Sequence, residues 1–193
     1  MVNTLRKYSS LDEPLETLLN EQLSWEAHCS SLYLAMSAWC KTQGYKETAD
    51  FFSFQAEEER SQAVKLLDYM RKRGGFPKIP EIVEIHVNFI SLHSVFEQVL
   101  QKEMHATFQL NNIGKECIKI SDFVTLQFLQ SLLYGQVDKE HIARRILELF
   151  VKVGEADTGR TQIDIQVLEI SSGLDLIKHE CNSATSGKKS TWM

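Results

Sequence analysis

The stretch Ala49–Met70, ADFFSFQAEEERSQAVKLLDYM, decides the fold. Its apolar positions Ala49, Phe52, Ala56, Ala63, Leu66 and Met70 recur three and four apart, the repeat that lines one face of an α-helix. Where that seam needs one more apolar side chain it carries Glu59. A bare carboxylate in a packed core is costly enough to demand a metal, a counter-ion or a proton as its partner. Spacing selects Glu59 as the inward residue of the run Glu57-Glu58-Glu59-Arg60 and leaves Glu57 and Glu58 flanking it.

Two other stretches repeat the design. One runs Phe89, Leu92, Phe96, Val99, Glu103, Ala106, Leu110, Ile113, Cys117, Ile120, and the other Leu129, Leu132, Gln136, Lys139, Ala143, Ile146, Phe150, Val153. Each seam is broken near its middle by a charged or amide residue. A fourth stretch carries the seam Leu15, Leu18, Gln22, Trp25, Cys29, Leu32, Met36, Trp39, with a second stripe beside it, Leu19, Leu23, Glu26, Tyr33 and Cys40. That stripe puts Glu26 on the shoulder of the core and Tyr33 two turns along the same face.

Start and stop signals bound four helices at about 12–42, 46–73, 89–120 and 122–153. Ser10 or Asp12 caps the first, Pro14 sits in its first turn and Gly44 closes it. Gly74-Gly75 stops the second, Asp122 caps the fourth and Gly154 ends it. Short joints make the first and second helices antiparallel neighbours, and likewise the third and fourth. The segment 74–88, with Pro77 and Pro80, reaches ~50 Å when extended, as long as a helix of about thirty residues. It can run the length of the bundle and leave the second and third helices parallel. The expectation is an all-α four-helix bundle with one long crossover, the ferritin-like arrangement, followed by a short fifth helix at about 161–171. Residues 1–172 form that unit, and 173–193, rich in Ser, Thr, Gly and Lys near its end, form a flexible tail.

The composition is that of a soluble globular chain with a net charge of −5. No basic stripe suits nucleic acid, and no apolar run suits a membrane span or a signal peptide, so a cytoplasmic protein is expected, with metals or copies of itself as partners. Cys29, Cys40, Cys117 and Cys181 show no zinc-like spacing and read as free thiols, while the six histidines show no mutual i, i+3 or i+4 pairing.

Glu26, Glu59, Glu103 and Gln136 each lie near the midpoint of their helix, so an antiparallel bundle brings them to one level. Carboxylates gathered in a dry core suit oxygen-loving cations such as iron or manganese. Di-iron bundles take one Glu from each of two helices and a Glu-x-x-His pair from each of the others. Here the residue three after Glu59 is Gln62, and the residue three after Gln136 is Lys139. Without a metal, Glu59 and Glu103 would be held by a lysine or a hydroxyl, Gln136 would be a core amide, and Tyr33 would bond Glu103 or Glu59.

The segment Leu19-Asn20-Glu21-Gln22 through Glu26 and Tyr33 to Met36-Ser37-Ala38-Trp39-Cys40, with Ala56-Glu57-Glu58-Glu59, Glu103 and Phe128-Leu129-Gln130, closely resembles bacterial non-haem ferritins. The resemblance implies a hollow shell, commonly of twenty-four subunits, that oxidises Fe(II) and stores a ferric mineral. It implies Glu26 as a terminal ligand, Glu59 as the bridge, Glu103 as a ligand of the second iron, Gln136 as a nearby amide and Tyr33 as the neighbouring tyrosine.

The chain departs from that pattern where it matters for metal. The family's histidine falls on Gln62 and its last-helix glutamate on Lys139. The third iron position keeps Glu58 but has Gly135 and the shorter Asp138. Arg60 follows the bridging glutamate where haem-binding relatives place methionine, so no haem is expected. The pattern is similar to animal light-chain ferritins, which keep the shell and nucleate mineral but have lost rapid oxidation. Three functions follow as expectations: an iron-storage subunit with an impaired or absent di-iron centre, alone or co-assembled with a catalytic subunit; an active ferroxidase with Lys139 swung aside; and a shell scaffold that stores no iron.

Overall fold

The computed structural model describes residues 9–81, 84–85, 88–154 and 159–171. Four long helices dominate it: α1 (Glu13–Gln43), α2 (Lys46–Lys72), α3 (Leu92–Ile120) and α4 (Phe123–Val153). A short α5 spans 159–171, and no strand occurs among the described residues.

Local chemistry sets the ends. Pro14 stands in the first turn of α1, and the helix closes at Gly44, whose φ of 86° is a left-handed conformation that a side chain would strain. The expected start of α3 at Phe89 moves to Leu92. Ser91 caps the helix by accepting from the Ser94 amide (3.2 Å), while Ser94 Oγ accepts from the Ser91 amide (3.1 Å). Phe89 stays outside, edge-on to the Trp39 ring. At the start of α4 the Asp122 carboxylate accepts from the Thr125 amide at 3.0 Å, as its position predicts.

The α2, α3 and α4 seams face the core along nearly their whole length. On α1 the buried face takes in both stripes: Leu15, Gln22, Cys29, Leu32 and Met36 of the first and Leu19, Leu23, Glu26, Tyr33 and Cys40 of the second are buried, whereas Leu18, Trp25 and Trp39 are half-buried at the border. Cys29, Cys40 and Cys117 are buried free thiols. Burial pushes the Cys117 thiol up to about 11 and that of Cys40 to about 12. Cys181 and the tail 173–193 lie outside the described residues.

Arg73, at the end of α2, holds both carboxylate oxygens of Asp122, at the start of α4, at 3.1 and 3.0 Å. The two helices are therefore antiparallel. Because α3 and α4 are joined only by Ser121 and Asp122, α2 and α3 are parallel, and the 73–91 connection crosses the length of the bundle. At the opposite end Asp164 of α5 accepts from the Thr48 amide at 2.8 Å and the Thr48 hydroxyl at 2.6 Å, pinning α5 to the start of α2. Close backbone approach requires glycine at position 159, since a Cβ there would meet the Gly154 carbonyl oxygen at 2.4 Å.

The core is divided. One apolar cluster contains Met36, Phe52, Phe96 and Ile146, and the other Leu19, Leu66, Leu110 and Leu129. Between them in sequence on every long helix lie Glu26, Glu59, Glu103 and Gln136.

Candidate metal centre

These four residues are buried, none more than 5 % exposed. Each arrives from a different helix, between the apolar residues of its own seam. Their partners come from the same layer. Gln22, one turn before Glu26 on α1, donates from Nε2 to Glu26 Oε1 at 2.5 Å. Lys139, one turn after Gly135 on α4, donates from Nζ to Glu59 Oε1. The Tyr33 hydroxyl donates to Glu103 Oε1, and Gln136 Nε2 donates to Glu103 Oε2 and, at 2.9 Å, to the Glu103 carbonyl. The Thr107 hydroxyl lies 3.1 Å from that same carbonyl and 2.5 Å from Glu140 Oε1.

The electrostatics follow. Burial pushes Glu59 well above its ordinary 4.5, and its hydrogen bond with Glu26 pushes the same way, while the Lys139 ammonium opposes both. Burial also raises Glu103, against Lys139 and the Tyr33 and Gln136 hydrogen bonds. Lys139 is the converse case. Burial alone would lower it, but the charges of Glu59, Glu103 and Glu26 outweigh burial and hold it above its ordinary value, so it stays an ammonium. Its side chain is 9 % exposed. Tyr33 is held well above 10.0 by burial and the adjacent Glu103.

Six of the residues singled out in the sequence thus meet in one buried layer: Glu26, Tyr33, Glu59, Glu103, Gln136 and Lys139. Glu58 and Gln62 do not enter it. Glu58 is exposed and Gln62 half-buried, and both line an open groove beside the layer together with Gly135 and Asp138. Chemically the layer is an oxygen-donor set with a cation already in it. Each carboxylate has a donor inside the protein, and among the described residues no group of three or more His, Cys, Asp or Glu is arranged to hold a metal ion. Sequence reasoning missed Gln22 and Gln55 as members. Gln22 is fully buried one turn before Glu26, and Gln55 is 9 % exposed one turn before Glu59. The signal was a second polar residue four positions before an inward glutamate.

Comparison with known proteins places this geometry. Residues 16–153 match the Ferritin family, described as a ferritin-like domain. A probable bacterial non-heme ferritin-like protein of Haemophilus influenzae is 32 % identical over 162 residues, covering 84 % of this chain and 98 % of its own. A bacterial non-heme ferritin of Campylobacter jejuni is 29 % identical over 161 residues, covering 83 % and 96 %. Among solved structures, an open-pore ferritin from the archaeon Archaeoglobus fulgidus is similar, with a TM-score of 0.79 at 28 % identity over 82 % of this chain and 97 % of that one. A four-helix bundle with one long crossover, a short fifth helix and glutamates at mid-height is a ferritin-like protein, and this chain belongs to the ferritin family.

Proposed function

We propose that this chain is an iron-storage subunit of a ferritin-type shell whose di-iron oxidation centre is impaired because Lys139 takes the place of a metal ion. One observation carries the reading: the Lys139 ammonium donates to Glu59, the bridging position by resemblance, inside a layer where Glu26 and Glu103 already have partners. At an effective dielectric of ~20, unit charges ~4 Å apart interact by about 4 kcal/mol. An incoming Fe(II), doubly charged, therefore meets about twice that penalty from the ammonium and must also displace it from Glu59. In the groove beside the layer, Gln62 offers only a neutral amide oxygen, a poorer donor than imidazole.

Iron in this reading is cargo. The shell supplies the enclosed space and acidic surface for a ferric mineral, and rapid oxidation comes from a catalytic subunit in a mixed shell or from slow chemistry at the mineral itself. Self-assembly, commonly into twenty-four subunits, is supported by the resemblance to ferritins over most of the chain. No described helix is long and apolar enough to cross a membrane, and a cytoplasmic location with no haem and no nucleic-acid partner is part of the same proposal.

A second reading has one observation in its favour. Lys139 lines the open groove as well as the buried layer, so its four-carbon stem has room to swing outward and vacate Glu59 for iron. Anaerobic Fe(II) titration followed by an oxygen pulse separates the two. Slow oxidation without a transient blue diferric species supports the impaired centre, whereas rapid formation of that species establishes an active ferroxidase. A shell that takes up no mineral on prolonged loading would leave only a scaffold.

A further inference from the structure

Two spaces meet at Lys139. The larger is a groove of about 270 Å³ between α2 and α4 under α5, walled by Phe54, Glu58, Gly135 and Leu168. The smaller is an internal cavity of about 10 Å³ against Tyr33, Phe96, Val99, Glu103 and Ala143. Four side chains line both: Phe51, Gln55, Lys139 and Ile142. The inner cavity is therefore separated from an open groove by one layer of side chains. Its volume is near the least that holds a single water, about 10–15 Å³, so anything larger enters only as the lining side chains move.

From this arrangement we propose that the groove and cavity form a passage by which small uncharged molecules, of the size of dioxygen or water, reach the Tyr33–Glu103 pair, and that divalent cations are refused. The selectivity follows from desolvation. The inner cavity is lined by Phe51, Phe96, Val99, Ile142 and Ala143, and the Glu103 carboxylate within it already accepts from Tyr33 and Gln136. A divalent ion would shed its water shell into a space where the Glu103 carboxylate is already engaged and Gln55 offers only a neutral amide, and it would meet the Lys139 ammonium at the partition. An uncharged molecule loses no such hydration and needs only rotation of Phe51, Gln55 or Ile142. Gly135 borders open space in the outer groove: it lines the groove, and a Cβ built on it meets nothing within 4 Å, so a large side chain placed there would project into that space. The inference rests on Lys139 remaining the resident cation at Glu59.

Methyl relaxation in the assembled, wild-type protein tests it, with dissolved dioxygen and Mn(II) as paramagnetic probes. Dioxygen is expected to enhance relaxation of the Val99 and Ala143 methyls severalfold over that of Leu129, which lies in the other apolar cluster. Mn(II) is expected to give these two methyls no enhancement above Leu129. Gly135→Phe, which puts a ring into the groove, should lose the dioxygen effect at Val99 and Ala143 while the protein stays folded. Equal dioxygen effects at all three methyls, a Gly135→Phe variant unchanged from wild type, or a Mn(II) effect at Val99 and Ala143 would each overturn the passage. None of these readouts involves iron oxidation, so the passage and the impaired centre fail separately.

Discussion

At the scale of the residue, the chemistry turns on Lys139 and the carboxylate it holds. Removing the ammonium leaves Glu59 buried without its cation, a change that typically costs about 3–5 kcal/mol when the remaining charge cannot relax. Glu59 has one relaxation open to it, protonation, and this fixes the sign of the pH dependence. A carboxyl group raised in the folded state binds its proton more tightly there than in the unfolded chain, so its contribution to stability is complete below the ordinary 4.5 and is lost as pH rises through the raised value. Lys139→Met removes the influence that lowers Glu59 and raises that value further. Urea midpoints should therefore show a small deficit for Lys139→Met near pH 4 that widens to about 3 kcal/mol at neutral pH. A deficit independent of pH would mean that the ion pair is not what the variant loses. The same residue also couples to a neighbour across the groove: Lys139→Glu combined with Gln62→His should raise the Fe(II) oxidation rate by more than the product of the single changes, because both positions line one groove beside Glu59. Stopped-flow rates for the four proteins check this, and strictly multiplicative effects would place the limiting step elsewhere.

At the scale of the element, each end of the bundle is held by a buried or half-buried acid on another element. Arg73 and Asp122 tie α2 to α4 at one end, and there the carboxylate is held below its ordinary range: burial alone would raise it, but bonds from Arg73 and Thr125 outweigh that. At the other end Asp164 caps α2 from α5. Asp164→Ala should cost about 1–2 kcal/mol, the range for losing a helix N-cap. Amide exchange along 159–171 should accelerate while that of Ile146 in α4 stays slow. Unchanged protection along α5 would show that Ile163 and Val167 hold it by packing alone. The helices themselves were legible in the sequence because the seams of α2, α3 and α4 had no competitor. On α1 the seam and the second stripe beside it are both buried, and only Leu18, Trp25 and Trp39 of the seam stay at the border, where neighbouring helices do not cover them fully. The α3 boundary was misplaced because Phe89 continues the apolar spacing, and only the Ser91–Ser94 bonds end the helix before it. The Asp164 contact joins residues 116 apart and has no local signature.

At the scale of the whole molecule, a polar layer crosses the middle of a bundle whose upper and lower halves are separate apolar clusters. The convergence of Glu26, Glu59, Glu103 and Gln136 could be read from their mid-helix positions, since an antiparallel bundle with matched ends leaves little choice of depth. What position alone did not give is pairing: that Lys139 chooses Glu59, that Tyr33 and Gln136 share Glu103, and that Glu58 and Gln62 face a groove. Those are matters of rotamer and reach. If the layer is self-neutralised in this way, the bundle should fold and assemble without iron. Sedimentation of chelator-treated protein should give the same shell mass as the iron-loaded form, and dissociation on chelation would assign the metal a structural role.

The most direct test is diffraction from crystals soaked anaerobically in Fe(II) and measured at the iron absorption edge. No anomalous peak is expected among Glu26, Glu59 and Glu103, with Lys139 Nζ still on Glu59. Two iron peaks bridged by Glu59, with the lysine turned into the groove, would contradict it.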